Sequence, residues 1–361
     1  MISAKKWRFK IEERSSVSNS RVLLTSILAI LAALIIVGIF FQFYGVSAFK
    51  AYRLIFSGSL GSRFGLAEIV RRAIPLLLCG VGLTLAFRAL FWNIGAEGQL
   101  LIGAVAATGI ALFSKLPPFL LLPAMFLGGF IGGALWGIVP AFLKVILGIN
   151  EVIATLMMNY MAIYLVEWLI HGPWKGPSAR GFAYSDPFPP SAMLPTITGT
   201  RIHWPTLIIG LVISVLIYIL IVHTKSGLEV RVMGENPEAA RYAGINPLKV
   251  TLLVMLISGG LAGLAGVGEI AGIHQRLLGP THISMGYGYT AVIVAWLARR
   301  NPLAVIFTSL FFALLITGGD VIKVSLGFPS QMINVFNGAI LFFLIGSEFF
   351  LRYRISFIGR R

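Results

Sequence analysis

Runs of about 20 consecutive apolar residues recur along this chain, and nothing else in the sequence limits its fold as strongly. An α-helix rises 1.5 Å per residue, so about 20 residues cross the hydrocarbon core of a bilayer, where lipid offers no partner to open backbone groups. Such runs cover 22–43, 66–87, 94–113, 119–143, 152–170, 205–223, 250–272, 283–298, 303–318 and 331–351, of which 283–298 and 303–318 are short. Hydrophobic residues are 57% of the chain, charged residues 12%, and mean hydropathy is +0.89; soluble domains carry about 25% charged residues. The expected fold is an all-α polytopic membrane protein of about ten transmembrane helices, one domain over 22–351 with basic tails at 1–21 and 352–361. Because 1–21 is basic and polar and the next run is long enough to span, no cleavable signal is expected.

Lys and Arg outnumber Asp and Glu, 29 to 13. They lie in short loops beside apolar runs, not in a stripe interleaved with aromatics, so membrane orientation explains them better than nucleic acid does. With the N-terminus inside, ten spans bring both termini to the cytoplasm. The larger share of Lys and Arg then falls inside: the two tails, the loop 224–249, Arg88, Lys144, Arg299 and Arg300. Lys50, Arg53, Arg63, Arg71 and Arg72 run against this trend, as an outer cluster after the first span. The segment 46–66, with Phe49, Tyr52 and Phe56, is expected along the membrane interface. The loop 171–204 holds Pro173, Pro177, Pro187, Pro189, Pro190 and Pro195, a composition that reads as an extracytoplasmic loop.

The loop 224–249 is the longest charged interruption in the apolar part of the chain. Within it, Glu235, Asn236, Pro237, Glu238, Ala239, Ala240, Arg241, Tyr242, Ala243 and Gly244 are punctuated as a two-turn helix. Asn236 suits the N-cap, Pro237 the first helical position, and Gly244 the left-handed residue that stops the helix. Asn246-Pro247 repeats the start signal. A short rigid helix between two membrane segments is either a handle for a soluble partner or a well-capped connection.

The two halves flanking the central span 205–223 share a plan. Each has a long span, 66–87 or 250–272, then a glycine-rich polar break, then a shorter apolar run. The first break is Asn93-Ile94-Gly95-Ala96-Glu97-Gly98-Gln99; the second runs from His274 to Tyr289. On the topology above the first faces inward and the second outward, as pseudo-symmetric inverted halves would, and paired interrupted segments point to a transport pathway. Candidate pathway residues are Asn93, Glu97, Gln99, Asn159, Glu269, Tyr287 and Tyr289. A charge at a helix centre costs about 2.5–3.5 kcal/mol on insertion scales, so Glu97 either lines a constriction or staples the broken turn. Glu269 either lines the path or pairs with a neighbour such as Arg276. Gly128, Gly129, Gly132, Gly133 and Gly137, like Gly259, Gly260, Gly263 and Gly266, form small-residue faces for close helix packing.

Cys79 is the only cysteine, which excludes an internal disulfide and a cysteine-built metal cluster. The five histidines have no metal-ligand spacing, and neither a GxSxG elbow nor a GxxxxGK[ST] phosphate loop is present. Energy for active transport must therefore enter through another subunit's nucleotide or through an ion gradient. The second case would make the chain a secondary transporter with Glu97 or Glu269 as proton carrier.

Five segments together carry a resemblance: Asn93–Gly103 (NIGAEGQLLIG), Asn150–Tyr160 (NEVIATLMMNY), Gly234–Ile245 (GENPEAARYAGI), Gly260–Gly272 (GLAGLAGVGEIAG) and Gly286–Asn301 (GYGYTAVIVAWLARRN). In this order they resemble the permease subunits of ABC importers in the ribose, branched-chain amino acid and nucleoside group, closest to the nucleoside or simple-sugar branch. The resemblance implies a prokaryotic plasma-membrane permease, not an enzyme, that forms half of the path for a nucleoside or sugar-containing solute. Its coupling helix, carried onto Gly234–Ile245, would seat in a cytoplasmic ATPase that binds ATP and Mg, this chain holding no cofactor itself. The other implied partners are a second, different permease and a substrate-binding lipoprotein.

Overall fold

The computed structural model describes residues 7–13, 19–179, 181–327, 335, 338–339, 342–343, 346–347 and 353–359. The chain divides into two compact units, Leu60–Thr317 and the pair of ends Met1–Ser59 with Gly318–Arg361. Helices dominate both.

In the unit built from the ends, α1 (Asn19–Phe43) and α2 (Ala48–Leu60) meet at a bend of 112°. Val37 and Phe41 of α1 pack on Ala51 and Ile55 of α2 and on Ile322, and the Tyr52 hydroxyl donates to the Leu34 carbonyl. The tails depart from the all-α expectation, since Trp7–Glu13 pairs antiparallel with Tyr353–Gly359. WRFKIEE alternates apolar and polar residues, the period of a strand.

The larger unit follows in chain order: α3 (Arg63–Arg88), α4 (Ala96–Phe113), α5 (Pro118–Leu147), α6 (Glu151–His171), α7 (Trp204–His223), α8 (Lys225–Glu235), α9 (Pro237–Tyr242) and α10 (Pro247–Glu269). A π-helical turn over Ile270–His274 continues α10, and α11 (Pro280–Ser284) and α12 (Tyr287–Leu297) follow it. The last helix, α13 (Pro302–Leu326), continues into the other unit. Side chains stop and start these helices where the sequence puts cappers. Ser62 accepts from Gly65 N–H, Asn150 from Val152 N–H, Thr224 from Gly227 N–H and Asn246 from Leu248 N–H.

Among the described residues seven helices are long and apolar enough to cross a membrane, eight if the bent α1–α2 pair counts as one span. The run 283–298 is not a full span. It holds α12, whose 11 residues rise about 16 Å, roughly half the hydrocarbon core. Most of the run 331–351 lies outside the described residues. The described residues of 172–203 make short 3-10 turns at Pro177–Ala179 and Pro190–Ala192 and an antiparallel bridge between Thr196 and His203. This segment packs onto the chain after α10: Leu194 N–H donates to Ala271 C=O, Phe188 N–H to Gln275 C=O and Ser185 N–H to Leu277 C=O.

Glycine lets α4, α5 and α10 touch backbone to backbone. A Cβ at Gly133 would lie 2.3 Å from Gly259 O, and one at Gly263 would lie 2.1 Å from Gly129 O. The basic residues at one end of this unit also gather. Arg88 Nε donates to Arg300 C=O at 2.8 Å; Lys144 Nζ donates to Leu90 C=O at 3.0 Å and pairs with Glu151 at 2.7 Å. The backbone of Gly234, at the end of α8, abuts the Arg88 carbonyl. Thus Arg88, Lys144, Arg300 and the segment leading into α9 share one end of the bundle.

Candidate translocation site and coupling surface

The two breaks meet. Glu97 stands in the first turn of α4, and its Oε2 accepts the Gly288 N–H at 2.8 Å, in the first turn of α12. The Ser284 hydroxyl and the N–H groups of Gly286 and Tyr289 also face this carboxylate. The two helices run in opposite senses from here. Gly80 of α3 lies beside Val294 and Arg88 bonds to Arg300, so α12 runs with α3. α3 runs against α10, with Gly82 beside Ser258 and Arg71 beside Glu269. α5 runs against both α10 and α4, with Gly137 beside Met255 and Gln99 and Gly128 beside Ile110. A carboxylate between two helix N-termini receives open N–H groups and the positive end of each macrodipole. That accounts for a glutamate only 3% exposed.

The backbone leading into α4 is held by amide side chains. Asn93 Nδ2 donates to Gln99 Oε1 at 3.0 Å and to Ser258 Oγ at 3.1 Å, while its Oδ1 accepts from Gly95 N–H and Gln99 Nε2. Asn159 of α6 accepts from Gly98 N–H at 2.8 Å, donates to Ile94 C=O at 2.9 Å, and donates to the Tyr289 hydroxyl at 3.3 Å. Asn93, Glu97, Gln99, Asn159 and Tyr289 therefore form one continuous polar assembly.

Glu269 and Tyr287 belong to a second one. Both are buried completely. Glu269 Oε2 lies 3.9 Å from Arg71 Nη1 and 4.0 Å from His274 Nε2, and neither of its oxygens has a hydrogen-bond partner among the described residues. Arg71 binds Glu68 tightly, Nε to Oε2 at 2.9 Å, with Arg72 Nε 3.8 Å from the same oxygen. Two expectations are corrected here. Glu269 turns to Arg71 and not to Arg276, whose guanidinium lies over the Tyr184 ring. Arg71 and Arg72 do not form an outer surface cluster: they are 4% and 7% exposed inside α3, where Glu68 offsets their charge. The signal was readable, because Glu68 stands three and four positions before them, the spacing of helical ion pairs. Nothing local in the sequence announces Glu269, distant in the chain, as their neighbour.

His203, just before α7, was also missed. Its ring covers Gly268 and Gly272, and its Nδ1 bonds the Thr206 hydroxyl. Burial, and secondarily the charge of Arg71, lowers its pKa from 6.5 to about 4.

At the end of the bundle that holds Arg88 and Lys144, α9 projects as a capped helix. Asn236 Oδ1 accepts from Glu238 and Ala239 N–H, both at 3.0 Å, and Gly244 adopts φ +76° after the last turn. Ala240 is the buried anchor, whereas Glu238, Ala239 and Arg241 are exposed and Tyr242 is 94% exposed. The preceding residues 225–235, expected as part of a loop, form α8.

A bundle of helices of membrane-crossing length, in which the N-terminus of α4 meets that of the shorter α12 and an exposed short helix lies at one end, has the build of a permease. The chain belongs to the family described as "Branched-chain amino acid transport system / permease component", whose model matches residues 65–345. The glucose ABC transporter permease protein TsgB13 of Haloferax volcanii is 37% identical over 92% of this chain and 89% of its own length. The nucleoside ABC transporter permease protein NupB of Lactococcus lactis is 29% identical, covering 91% of this chain and 92% of its own. The guanosine ABC transporter permease protein NupP of Bacillus subtilis is 29% identical, over 93% and 95% respectively. A second, more distant permease from each of these organisms also matches, at 28%, 25% and 26% identity. The chain is thus a multi-pass ABC transporter permease, not an enzyme.

Proposed function

We propose that this permease forms half of the path by which an ATP-driven importer brings a nucleoside or related sugar-containing solute into a prokaryotic cell, across the plasma membrane. The carrying observation is α9: capped at both ends, anchored by Ala240 and otherwise open to solvent. A cytoplasmic ATPase holding ATP and Mg grips residues Glu235–Gly244, and its closure moves the bundle. The ten-segment plan with both termini cytoplasmic is part of this reading, with α1, α3, α4, α5, α6, α7, α10, the half-span α12, α13 and the run 331–351. The loop 171–204 then faces a substrate-binding lipoprotein. The matching pairs of permeases in three organisms support a second, different permease as partner. The solute class rests on the printed names of the relatives. Asn93, Glu97, Gln99, Asn159, Glu269, Tyr287 and Tyr289 line or support the path.

Affinity purification of this chain from its own membranes tests the reading. The ATPase and a second permease co-purify with the wild type. Both the ATPase and uptake are lost when Asn236–Ala243 is replaced by a Gly/Ser linker. Retention of the ATPase by that variant overturns the role of α9.

A further inference from the structure

Tyrosines in membrane helices gather at the water interface, where the ring is buried and the hydroxyl is wet. Tyr160 is placed otherwise. It lies about 14 Å from the start of α6 at Glu151, a helix of 21 residues, and so near mid-depth. It is 48% exposed, and its hydroxyl has no hydrogen bond among the described residues. Beside it stands Tyr289, 37% exposed, close enough for the two hydroxyls to influence each other electrostatically. Asn159 fixes the Tyr289 hydroxyl from α6, and Glu97 is a further charged neighbour of Tyr289. The Tyr160 phenol, without a partner at the level where α4 and α12 begin, would leave a polar group in hydrocarbon if lipid covered it. A hydrated path with a solute in it does not.

We propose that Tyr160 and Tyr289 form a ring-binding cleft at mid-depth, in which the flat or apolar face of a nucleobase or sugar ring packs on the tyrosines and solute hydroxyls bond their phenols. This rests on the reading above that the solute carries such a ring. A cleft for ring faces tolerates different bases but rejects an open aliphatic chain.

Uptake by the complete complex is measured with guanosine, glucose and leucine as probes. The amount of each variant in the membrane and its co-purification with the ATPase check folding. Tyr160→Leu raises the concentration for half-maximal uptake of the carried ring solute about tenfold or more, the scale of losing one aromatic stack. Tyr160→Phe, which keeps the ring, changes it less than about threefold. In a Tyr160→Cys variant the carried solute slows thiol labelling, with no background from Cys79, which is buried. Unchanged uptake in Tyr160→Leu and Tyr289→Leu, equal losses in the Phe and Leu variants, or unprotected labelling overturns the cleft alone. A wild-type complex that carries leucine and neither ring-bearing probe overturns both the cleft and the solute class.

Discussion

Glu97 illustrates how a single residue is decided by what surrounds it. Its oxygen satisfies the Gly288 N–H, so the feature that matters for folding is an acceptor and not a titrating proton. Glu97→Gln keeps one acceptor for the Gly288 N–H but loses the charge between the two helix N-termini, so its melting temperature falls, though less than that of the alanine variant, and uptake is retained. Glu97→Ala orphans a buried N–H and costs about 1–3 kcal/mol, read as a drop in melting temperature in detergent. Uptake abolished in a well-folded Gln variant would favour the proton-carrier rival instead. His203 gives the complementary case. Its pKa falls on folding, from 6.5 to about 4, so the folded state resists protonation that the unfolded chain accepts. Stability is therefore unaffected above pH 6.5, declines as pH falls below it, and levels off near 4. Melting temperatures measured across this window trace that decline, and His203→Gln removes part of its slope. Neither environment was legible beforehand. The sequence displayed a glutamate in a glycine-rich break and a histidine at a span end, but the deciding partners stand on other helices.

At the scale of elements, local chemistry was the most readable layer. Asn236, Pro237 and Gly244 delimit α9, and Asn246-Pro247 start α10, because capping acts over two or three residues that the sequence shows side by side. What misled was treating charge as position. Residues 225–235 were read as loop since they carry Lys225, Glu229, Arg231 and Glu235, yet Thr224 caps them and Val230 and Met233 are buried, so they form α8. Arg71 and Arg72, expected at the outer surface because they follow the first span, are buried in α3 beside Glu68. α9 carries its own prediction. Tyr242→Asp leaves the fold intact, because that side chain is almost wholly exposed, but reduces ATPase co-purification and uptake at least tenfold. Ala240→Asp is the poorer probe: its carboxylate would enter a fully buried site and unfold α9. Asn236→Ala costs about 1 kcal/mol of helix stability and weakens the ATPase partially. Titration of the purified ATPase against each variant ranks all three.

For the whole molecule, span counting recovered seven of the crossing helices, since bilayer thickness imposes a length that any sequence must display. At 283–298 the run is short, and the break expected from His274 to Tyr289 includes Met285 and Gly286, both in the left-handed region, so only the 11 residues of α12 remain helical there. Hydropathy carries no record of a helix that starts half-way. The pairing of the breaks through Glu97 and Gly288 was likewise invisible, being a contact between halves. The proposed coupling through α9 predicts no uptake from a proton or sodium gradient when the molecule is reconstituted alone, and uptake only with nucleotide, ATPase and second permease together. Accumulation of external radiolabelled solute inside the vesicles measures this directly. The glycine contacts of α4, α5 and α10 restrict what such a cycle can look like. Side-chain layers can re-interlock in a new register, but carbonyl oxygens pressed against α-carbons have no alternative fit nearby. Those three helices therefore travel together as a keel, and the swing that opens one mouth and shuts the other falls to the helices around them.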